Sequence, residues 1–530
     1  MPKKAILARV LPVIAVAAVL AFSLFVGGKV SINPRLVACV GYGYGYGYFP
    51  FTPIVTSVVP NNGPSTGGTT VTITGLGFCN FPSGVTFGGT AATSFAVNSD
   101  TSITAVSPAH AAGTVDVLVT TAAGTSAATA ADHFTYAAFT SYFTWFDKAS
   151  TGFVQDNIHL LNQSGNVAHI FVNGPNGQTF GPITLANATE TYVSFAQGTI
   201  GGPVSINSDQ FILASQRVQY NQSFNEVWAQ AAGSAALVNY INWFDKASTG
   251  FLNDNIHLLN PGATPSTVAV SVQGGTPVVA VVQPGGSTYV TFPFGIIGGP
   301  VKIQVTAGPA VLASQRVQFQ NTFNEVWASS AALASGSSFV NWFDKASTGF
   351  SNDNIHLLNP GLATVSVTVS EDGGLNSATV NVAAGAETYV TFPFGVIGGP
   401  VKILVNGPGA VLASQRVQYN QSFNEVWAEG PGFAVQNSNF IMWYDKASTG
   451  FAQDNIHLLN PGTATAFVTV TEGSTVLSAI VPADGESYVT FPQGTIGGPV
   501  KITVTTGPGI LAAARVQYYQ TFNEIWAAAS

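Results

Sequence analysis

Charged residues are scarce in this sequence. Asp, Glu, Lys and Arg account for 8% of its 530 residues, whereas an average soluble domain has about 25%. The 16 Lys and Arg leave a formal net charge of −8 and do not supply the basic surface that neutralises nucleic-acid phosphates. Because 46% of the residues are hydrophobic, the chain has the material for buried cores. We therefore expect folded domains and no nucleic-acid partner.

Cysteine is almost absent as well. Cys39 and Cys79 are the only two, and they do not make a disulfide framework or a zinc site of paired cysteines. The sequence also lacks the nucleophile elbow, the helical zinc motif, the phosphate-binding loop and the dinucleotide glycine fingerprint. We therefore predict a protein that is not an enzyme, and we assign no catalytic, cofactor-binding or metal-binding residue.

The N-terminal segment holds five of the 16 basic residues. Lys3, Lys4 and Arg9 precede an apolar stretch at 10–28, which is the pattern of a secretory signal peptide or a membrane anchor. As a helix this stretch would be about 28 Å long, near the thickness of the hydrocarbon core, so its length fits both. We predict one apolar helix within a signal peptide or anchor at 1–38, and hence export to the cell surface or the extracellular space.

Two short features follow the apolar stretch. Leu36-Val37-Ala38-Cys39 resembles the lipobox of bacterial lipoproteins, which makes Cys39 a candidate for lipidation. In that family the box directly follows the apolar stretch, whereas Lys29 and Arg35 stand between the two here, so an unmodified cysteine near the membrane is the alternative. The segment 39–52 alternates Gly and Tyr and has no pattern that specifies a fold, so we predict a linker.

Residues 53–137 show short β-branched runs separated by Gly, Pro, Asn and Ser, the pattern of an all-β sandwich. The segment resembles the IPT/TIG family in the order of its motifs, which are Val59-Pro60, Gly67-Gly68-Thr69, Val71 to Gly75, Val85 to Gly89 and Phe134-Thr135-Tyr136. The resemblance implies an immunoglobulin-like fold. Since no Lys or Arg lies between Leu36 and Phe146, it favours a spacer or interaction module over a DNA-binding one.

The remainder of the chain contains four copies of one unit. Each copy opens with Trp-Phe/Tyr-Asp-Lys-Ala-Ser-Thr-Gly-Phe, continues through Asp-Asn-Ile-His-Leu-Leu-Asn and closes with Phe-Asn-Glu-Val/Ile-Trp. A unit of this length can bury its own core, and its period-two alternation indicates the strands of a sandwich. The copies resemble the β-sandwich modules of secreted actinobacterial and related bacterial surface proteins. We predict tandem immunoglobulin-like sandwiches in a row, with repeats at 141–230, 239–329, 338–429 and 439–530.

A set of polar residues recurs in each copy, except that Ser205 replaces the middle Lys in the first, and it includes every Lys and Arg outside the N-terminal segment. In the second copy the set comprises Asp245, Lys246, Asp254, His257, Lys302, Arg316 and Glu325. Such residues can form a binding or metal site. Alternatively, Arg316 pairs with Glu325 or Asp245 and the histidine packs under a tryptophan, because buried charges are usually paired.

Tryptophan is the second recurring feature, because each copy has one at its start and one at its end. We expect the first and last strands to bring the two to the same pole of the sandwich. Exposed tryptophans there would stack on sugar rings, and a row of modules would gain avidity for a polymer. Buried ones would pack in the core or at a junction between domains. The candidate binding or structural residues are therefore Trp243, Asp245, Asp254, His257, Arg316, Glu325 and Trp327.

These patterns predict a non-catalytic, exported cell-surface protein, a rod of β-sandwich repeats that serves as a structural, adhesive or assembly module. A polysaccharide-binding array that uses the paired tryptophans is the alternative. The expected partners are the cell envelope, an extracellular glycan or protein, or further copies of the chain in lateral self-assembly. The N-terminal segment would contact the membrane.

Overall fold

The computed structural model describes residues 51–529 except 66, 80, 81, 372, 373 and 421. This part of the chain is built from β-strands, and its helices are short 3-10 turns: Ala130–Asp132, Pro175–Gly177, Ala232–Ser234, Ala331–Leu333 and Pro431–Phe433. No helix within it is long and apolar enough to cross a membrane. The predicted apolar helix, the signal peptide or anchor at 1–38 and Cys39 lie outside the described residues, whereas Cys79 is disulfide-bonded.

The first domain consists of two packed sheets. The strands of one sheet, in spatial order, are Ile54–Val59, Thr70–Leu76, Ser102–Val106 and Ser94–Ser99. Those of the other are Asn62–Pro64, His133–Ala137, Gly113–Thr121, Gly84–Phe87 and Thr90–Ala91, with Gly124–Thr125 beside Gly113–Thr121. Alternate residues of Thr70–Leu76 are buried, as expected for strands with one face on a core. Phe78, Phe87 and Phe134 fill the space between the sheets.

Each repeat has a four-stranded sheet that we call the junction sheet. Its strands, in spatial order, are an edge strand, a His strand, an Arg strand and a ring strand. The edge strands are Thr189–Val193, Ser287–Thr291, Glu387–Val390 and Gly485–Val489. The His strands are Phe153–Asn162, Phe251–Leu259, Phe350–Leu358 and Phe451–Asn460. The Arg strands are Ile212–Tyr220, Leu312–Phe319, Leu412–Tyr419 and Leu511–Tyr518. The ring strands are Ser223–Trp228, Thr322–Trp327, Ser422–Trp427 and Thr521–Trp526.

A second sheet covers the junction sheet of each repeat. In repeat 1 its strands are Thr179–Leu185, Ala168–Asn173, Val204–Ser208, Phe139–Phe143 and Gln230–Ala231. In repeat 2 they are Val278–Val282, Ser266–Val272, Val301–Ala307, Val238–Ile241 and Ser329–Ser330. In repeat 3 they are Asn376–Val382, Val365–Glu371, Val401–Val405 and Ser337–Val340. In repeat 4 they are Thr475–Val481, Ala466–Glu472, Val500–Thr506, Ser438–Ile441 and Ala528–Ala529.

The turn that carries the Asp-Lys-Ala-Ser-Thr-Gly motif is fixed in each repeat by a two-residue strand pair. These pairs are Phe146–Asp147 with Ile200–Gly201, Phe244–Asp245 with Ile297–Gly298, Phe343–Asp344 with Ile397–Gly398 and Tyr444–Asp445 with Ile496–Gly497. The core between the two sheets of repeat 2 includes Ile256, Leu258, Val268 and Val270. Val268 and Val270 alternate along their strand with partly exposed residues, so period two in the sequence places this part of the core correctly.

Candidate functional site at the junctions between repeats

The four ring strands contact one another in a closed cycle. The indole Nε1 of Trp327 donates to the carbonyl oxygen of Trp228 over 2.8 Å. In the same way Trp427 donates to Trp327 over 2.6 Å and Trp526 to Trp427 over 2.7 Å. Trp228 then donates to the carbonyl of Trp526 over 2.7 Å, which joins the first repeat to the last.

The repeats therefore form a ring, and the predicted row of sandwiches, a rod, is wrong for the repeat region. Each junction joins two different sets of residues, those around the Arg and ring strands of one repeat and those around the motif turn of the repeat before it. Such head-to-tail interfaces produce a closed assembly when the rotation from one unit to the next adds up to a full turn. Here the four units are linked in one chain, and the fourth meets the first.

A phenylalanine of each ring strand packs into the preceding repeat. The ring of Phe323 lies 5.4 Å from that of Phe153, measured between centroids. The equivalent pairs are Phe423 with Phe251 at 5.8 Å, Phe522 with Phe350 at 5.7 Å and Phe224 with Phe451 at 6.2 Å. Because ring strands are buried on both faces, they resemble core strands of a larger domain rather than the surface of a separate one.

The recurring arginine and glutamate form an ion pair at each junction. Arg316 Nε lies 3.4 Å from Glu325 Oε2, and both side chains are almost fully buried. Glu325 Oε1 accepts hydrogen bonds from Ser314 over 2.9 Å and, across the junction, from Thr144 over 3.0 Å. The other pairs are Arg217 with Glu226 at 3.4 Å, Arg416 with Glu425 at 3.4 Å and Arg515 with Glu524 at 3.0 Å. The buried charges thus have partners within the ring.

The two tryptophans of a repeat lie at different junctions, so the expectation that they share one pole is wrong. Trp243 packs on His356 of repeat 3 at 5.5 Å, whereas Trp327 packs against the core of repeat 1. Both are partly exposed. The candidate residues of repeat 2 are divided accordingly: Trp243 and Asp245 face repeat 3, and His257, Arg316, Glu325 and Trp327 face repeat 1.

Asp254 lies inside the repeat rather than at a binding surface. It is fully buried, accepts the N–H of Asp245 over 2.8 Å and accepts Gln315 Nε2 over 2.7 Å. Burial, opposed by these hydrogen bonds, raises the pKa of Asp254 to about 7. Asp156, Asp353 and Asp454 have the same position and pKa values of about 7.

Asp245 and Lys246 hold the motif turn. Asp245 Oδ1 accepts the N–H groups of Ala247 over 3.0 Å and Ser248 over 2.8 Å, a local arrangement that fixes turns. Lys246 Nζ donates to Thr291 on the edge strand over 3.0 Å. The motif turn of repeat 2 is thereby fixed to the edge strand of the same repeat.

Sequence reasoning did not single out a buried glutamate that pairs with the recurring histidine in three repeats. The Nδ1 atom of His159 lies 2.6 Å from Glu190 Oε1, and the pairs His356 with Glu387 and His457 with Glu486 have distances of 2.6 and 2.7 Å. Burial raises the pKa of Glu387 and of Glu486 to about 8 and lowers that of His457 to about 3. These two pairs are therefore held uncharged. The signal was a glutamate two residues before Tyr192, Tyr389 and Tyr488.

Repeat 2 departs from this pattern because Ser287 stands where the other copies have glutamate. Among the described residues, neither His257 Nδ1 nor Ser287 Oγ has a hydrogen-bond partner. Burial, reinforced by the charge of Arg316, lowers the pKa of His257 well below its ordinary value. His257 is accordingly a neutral histidine that packs against Trp145 at 5.0 Å.

An open cleft lies at the junction of repeats 1 and 2, with a volume of about 260 Å³. We call it and its equivalents the junction clefts. Its walls include Trp145 and Asp147 from repeat 1 and Asn255, Tyr289 and Gln318 from repeat 2. Equivalent clefts of about 330 Å³ lie between repeats 2 and 3 and between repeats 4 and 1. The same residue types line all three, because the same two faces meet at each junction.

The first domain packs on repeat 1 through a cluster of asparagines. The buried Asn62 accepts hydrogen bonds from Asn173 over 2.9 Å and Asn207 over 2.8 Å. A second polar group in this domain comprises Asp116, Asp132 and His133, whose donor atoms lie within 4.8 Å of one another. His133 and Asp116 are about half exposed, and exposed acidic groups alone do not define a metal site, so we assign none.

The described part of the chain is an array of tandem β-sandwich modules. Residues 53–136 match the IPT/TIG domain family, which confirms the resemblance of the first domain and its immunoglobulin-like fold. Comparison with curated proteins gives no match.

Solved structures show partial likeness only. A γ-cyclodextrin glucanotransferase of an alkalophilic Bacillus clarkii is 17% identical, with a TM-score of 0.17, and the match covers 35% of this chain and 26% of that one. SGBP-B from a xyloglucan utilization locus in Bacteroides uniformis is 11% identical (TM-score 0.14, 71% and 100% covered). The BSP domain of a biofilm associated protein is 9% identical (TM-score 0.13, 79% and 93% covered). At such scores none of the three supports a functional argument.

Proposed function

We propose that this chain is a non-catalytic, exported protein of the cell surface, in which the ring of repeats is a rigid structural or adhesive head. The IPT/TIG domain connects this head to the N-terminal segment, which directs export and attaches the protein to the envelope. The ring replaces the rod expected from the sequence as the form in which the repeats act.

One observation carries the proposal. The charged residues that made a catalytic site conceivable are engaged within the protein: Arg316 with Glu325 at a junction, Asp254 with Gln315 and the backbone inside its repeat, and Asp245 with its own turn. A general acid, base or nucleophile must reach its substrate, whereas these groups are buried. Their recurrence in four copies follows from structural roles that every repeat needs, either inside the repeat or at its junction.

Surface location can be tested by expressing the full chain in a bacterial host, followed by fractionation and protease treatment of intact cells. We expect protein in the envelope fraction or the medium, with the ring cleaved or released by external protease. A matched chain lacking residues 1–38 should remain in the cytoplasm. Full-length protein retained in the cytoplasm would contradict the proposal, as would hydrolase activity that is lost in the Glu325→Gln variant while the fold is retained.

A second candidate function, polysaccharide binding, is favoured by the junction clefts rather than by paired tryptophans. Trp243 and Trp327 lie at different junctions and cannot form one site within their repeat.

A further inference from the structure

We propose that the junction clefts are binding sites for a neutral glycan, each accepting one or two sugar rings of a longer chain. This inference rests on the proposed function, because it assigns a partner to a surface protein that performs no chemistry. It concerns the exposed tyrosine and the amides that border each cleft.

A fixed aromatic ring forms one wall of each cleft. Tyr289 is stacked on His257, with 5.5 Å between centroids and 28° between planes, yet 51% of Tyr289 is exposed. Trp145 of the neighbouring repeat contacts the same pair, at 5.0 Å from His257 and 6.2 Å from Tyr289. The same stacking recurs for Tyr192 with His159, Tyr389 with His356 and Tyr488 with His457.

Such a ring suits the C–H face of a sugar. An aromatic face carries partial negative charge and provides a broad apolar surface. Because the histidine already holds the tyrosine in place, binding costs little side-chain entropy. An exposed tyrosine at each junction is therefore a preorganised platform rather than a loose surface residue.

Amide side chains supply the polar half of the cleft. Asn255 is half-buried in the cleft wall, and nearby Asn253 donates to Gln318. A carboxamide offers both donors and acceptors, and so does a sugar hydroxyl. Asn354 and Gln418 take the same places at the next junction, and Asn157 and Gln219 do so where the ring closes.

The balance of charge favours a neutral ligand. Among the residues that the structure describes, Arg316 is the only cation that borders the cleft between repeats 1 and 2, and Glu325 lies 3.4 Å from it. On the opposite wall Asp147 binds the N–H groups of Ala149 and Ser150. No uncompensated positive charge is left in this cleft for the carboxylates, sulfates or phosphates of an acidic polymer.

The dimensions indicate weak individual sites that act together. Volumes of about 260–330 Å³ are at the small end of ligand pockets, which span roughly 300–1,000 Å³. A long or branched glycan that meets several clefts of one rigid ring gains avidity from their fixed spacing.

The test is binding of the purified chain to a soluble β-glucan, a xylan and a mannan, with alginate as an acidic comparator, by affinity electrophoresis. We expect retardation by at least one neutral polymer. In a second variant, Tyr192, Tyr289, Tyr389 and Tyr488 are all changed to Ala. Its affinity should fall by about tenfold or more. The matched control is Phe294→Ala with Phe394→Ala, since both side chains are about three-quarters exposed but lie outside the clefts; its affinity should change less than about twofold.

Three results would overturn the inference: no binding to any neutral polymer, binding unchanged in the fourfold variant, or binding confined to alginate. If the fourfold variant does not fold, the single Tyr289→Ala and Tyr289→Phe variants decide, because the Phe variant keeps the stacking face and should bind while the Ala variant binds less. Failure here with the protein still exposed on cells would count against glycan binding alone and leave the proposed surface function intact.

Discussion

Three junctions of the ring join repeats that follow each other in the chain, whereas the fourth joins repeat 4 to repeat 1 without a linker. All four use the same contacts: an indole bonded to a backbone carbonyl, a phenylalanine inserted into the preceding repeat, a tryptophan on a histidine, and a buried Arg–Glu pair. The linkers are therefore not what forms the junctions. Complementary faces determine the arrangement, and the chain only brings them together.

The closing junction is the looser of the two kinds. Its Trp443–His159 separation is 5.9 Å, against 5.0–5.5 Å elsewhere. Met442 occupies the position where Thr144, Asn242 and Asn341 make polar contacts across the other junctions. A bond from Gln219 to the hydroxyl of Tyr518, over 2.9 Å, offsets part of this difference.

Removing repeat 4 should have the largest effect. A chain that ends at residue 430 lacks the partners of Trp342 and of Phe224, and each uncovered aromatic costs about 1.5–3 kcal/mol. We expect the open ring to associate through its two free faces, which size-exclusion chromatography with light scattering would show as a larger molar mass. We also expect red-shifted tryptophan emission in fluorescence spectra. A monomer with unchanged emission would show that the closing junction contributes little.

Raising the pH should weaken all repeats together. Four equivalent aspartates have folded pKa values of about 7, against 3.8 for the ordinary group: Asp156, Asp254, Asp353 and Asp454. The folded state therefore holds protons that the unfolded state has released. Their stabilisation is complete below about pH 4 and is lost as the pH rises through 7. Glu387 and Glu486, with pKa values of about 8, extend the loss upward. His257, His356 and His457, whose pKa values burial lowers, act oppositely, but only up to about pH 6.5.

Between pH 6.5 and 8 we therefore expect the free energy of unfolding to fall by on the order of a few kcal/mol, measured by urea denaturation at fixed ionic strength. Asp254→Asn keeps the size of the side chain without the titration and should flatten this slope by about an eighth of its size. A free energy of unfolding that rises between pH 6.5 and 8 would contradict the raised pKa values of the buried carboxyl groups.

The ion pairs provide a direct comparison of the two kinds of junction. Glu325→Gln leaves Arg316 buried without its counter-charge, which costs about 3–5 kcal/mol. Glu226→Gln at the closing junction should cost less, since the Arg217 side chain is 14% exposed, against 6% for Arg316. Thermal unfolding of the two variants checks the order. Equal losses would show that both junctions bury the pair to the same extent.

The smallest effect concerns the single junction without a histidine–glutamate pair. Ser287→Glu should give His257 Nδ1 the partner that it lacks, and a net hydrogen bond contributes about 0.5–1.5 kcal/mol. We expect a slightly higher melting temperature. Ser287→Gln is the control for size, and a stabilisation by Gln equal to that by Glu would point to packing instead.

The sequence was sufficient for strands such as Ser266–Val272, in which the core positions Val268 and Val270 alternate with partly exposed ones. It also placed the IPT/TIG domain, and one of its two alternatives paired Arg316 with Glu325. It was not sufficient for the ring, since a repeated motif carries no information about the rotation between successive units. For the same reason Trp243 and Trp327 were expected together: their separation depends on which neighbour each meets.

The indole bonds around the ring all run in one sense, each tryptophan donating to the repeat before it. A circuit of this kind has no free end at which another unit can be added. Duplication of a single repeat in the gene would leave a fifth unit with no place, and loss of one would leave a gap that three equal steps do not span. The number of repeats is thus fixed by geometry, and selection should act on the ring as one indivisible unit.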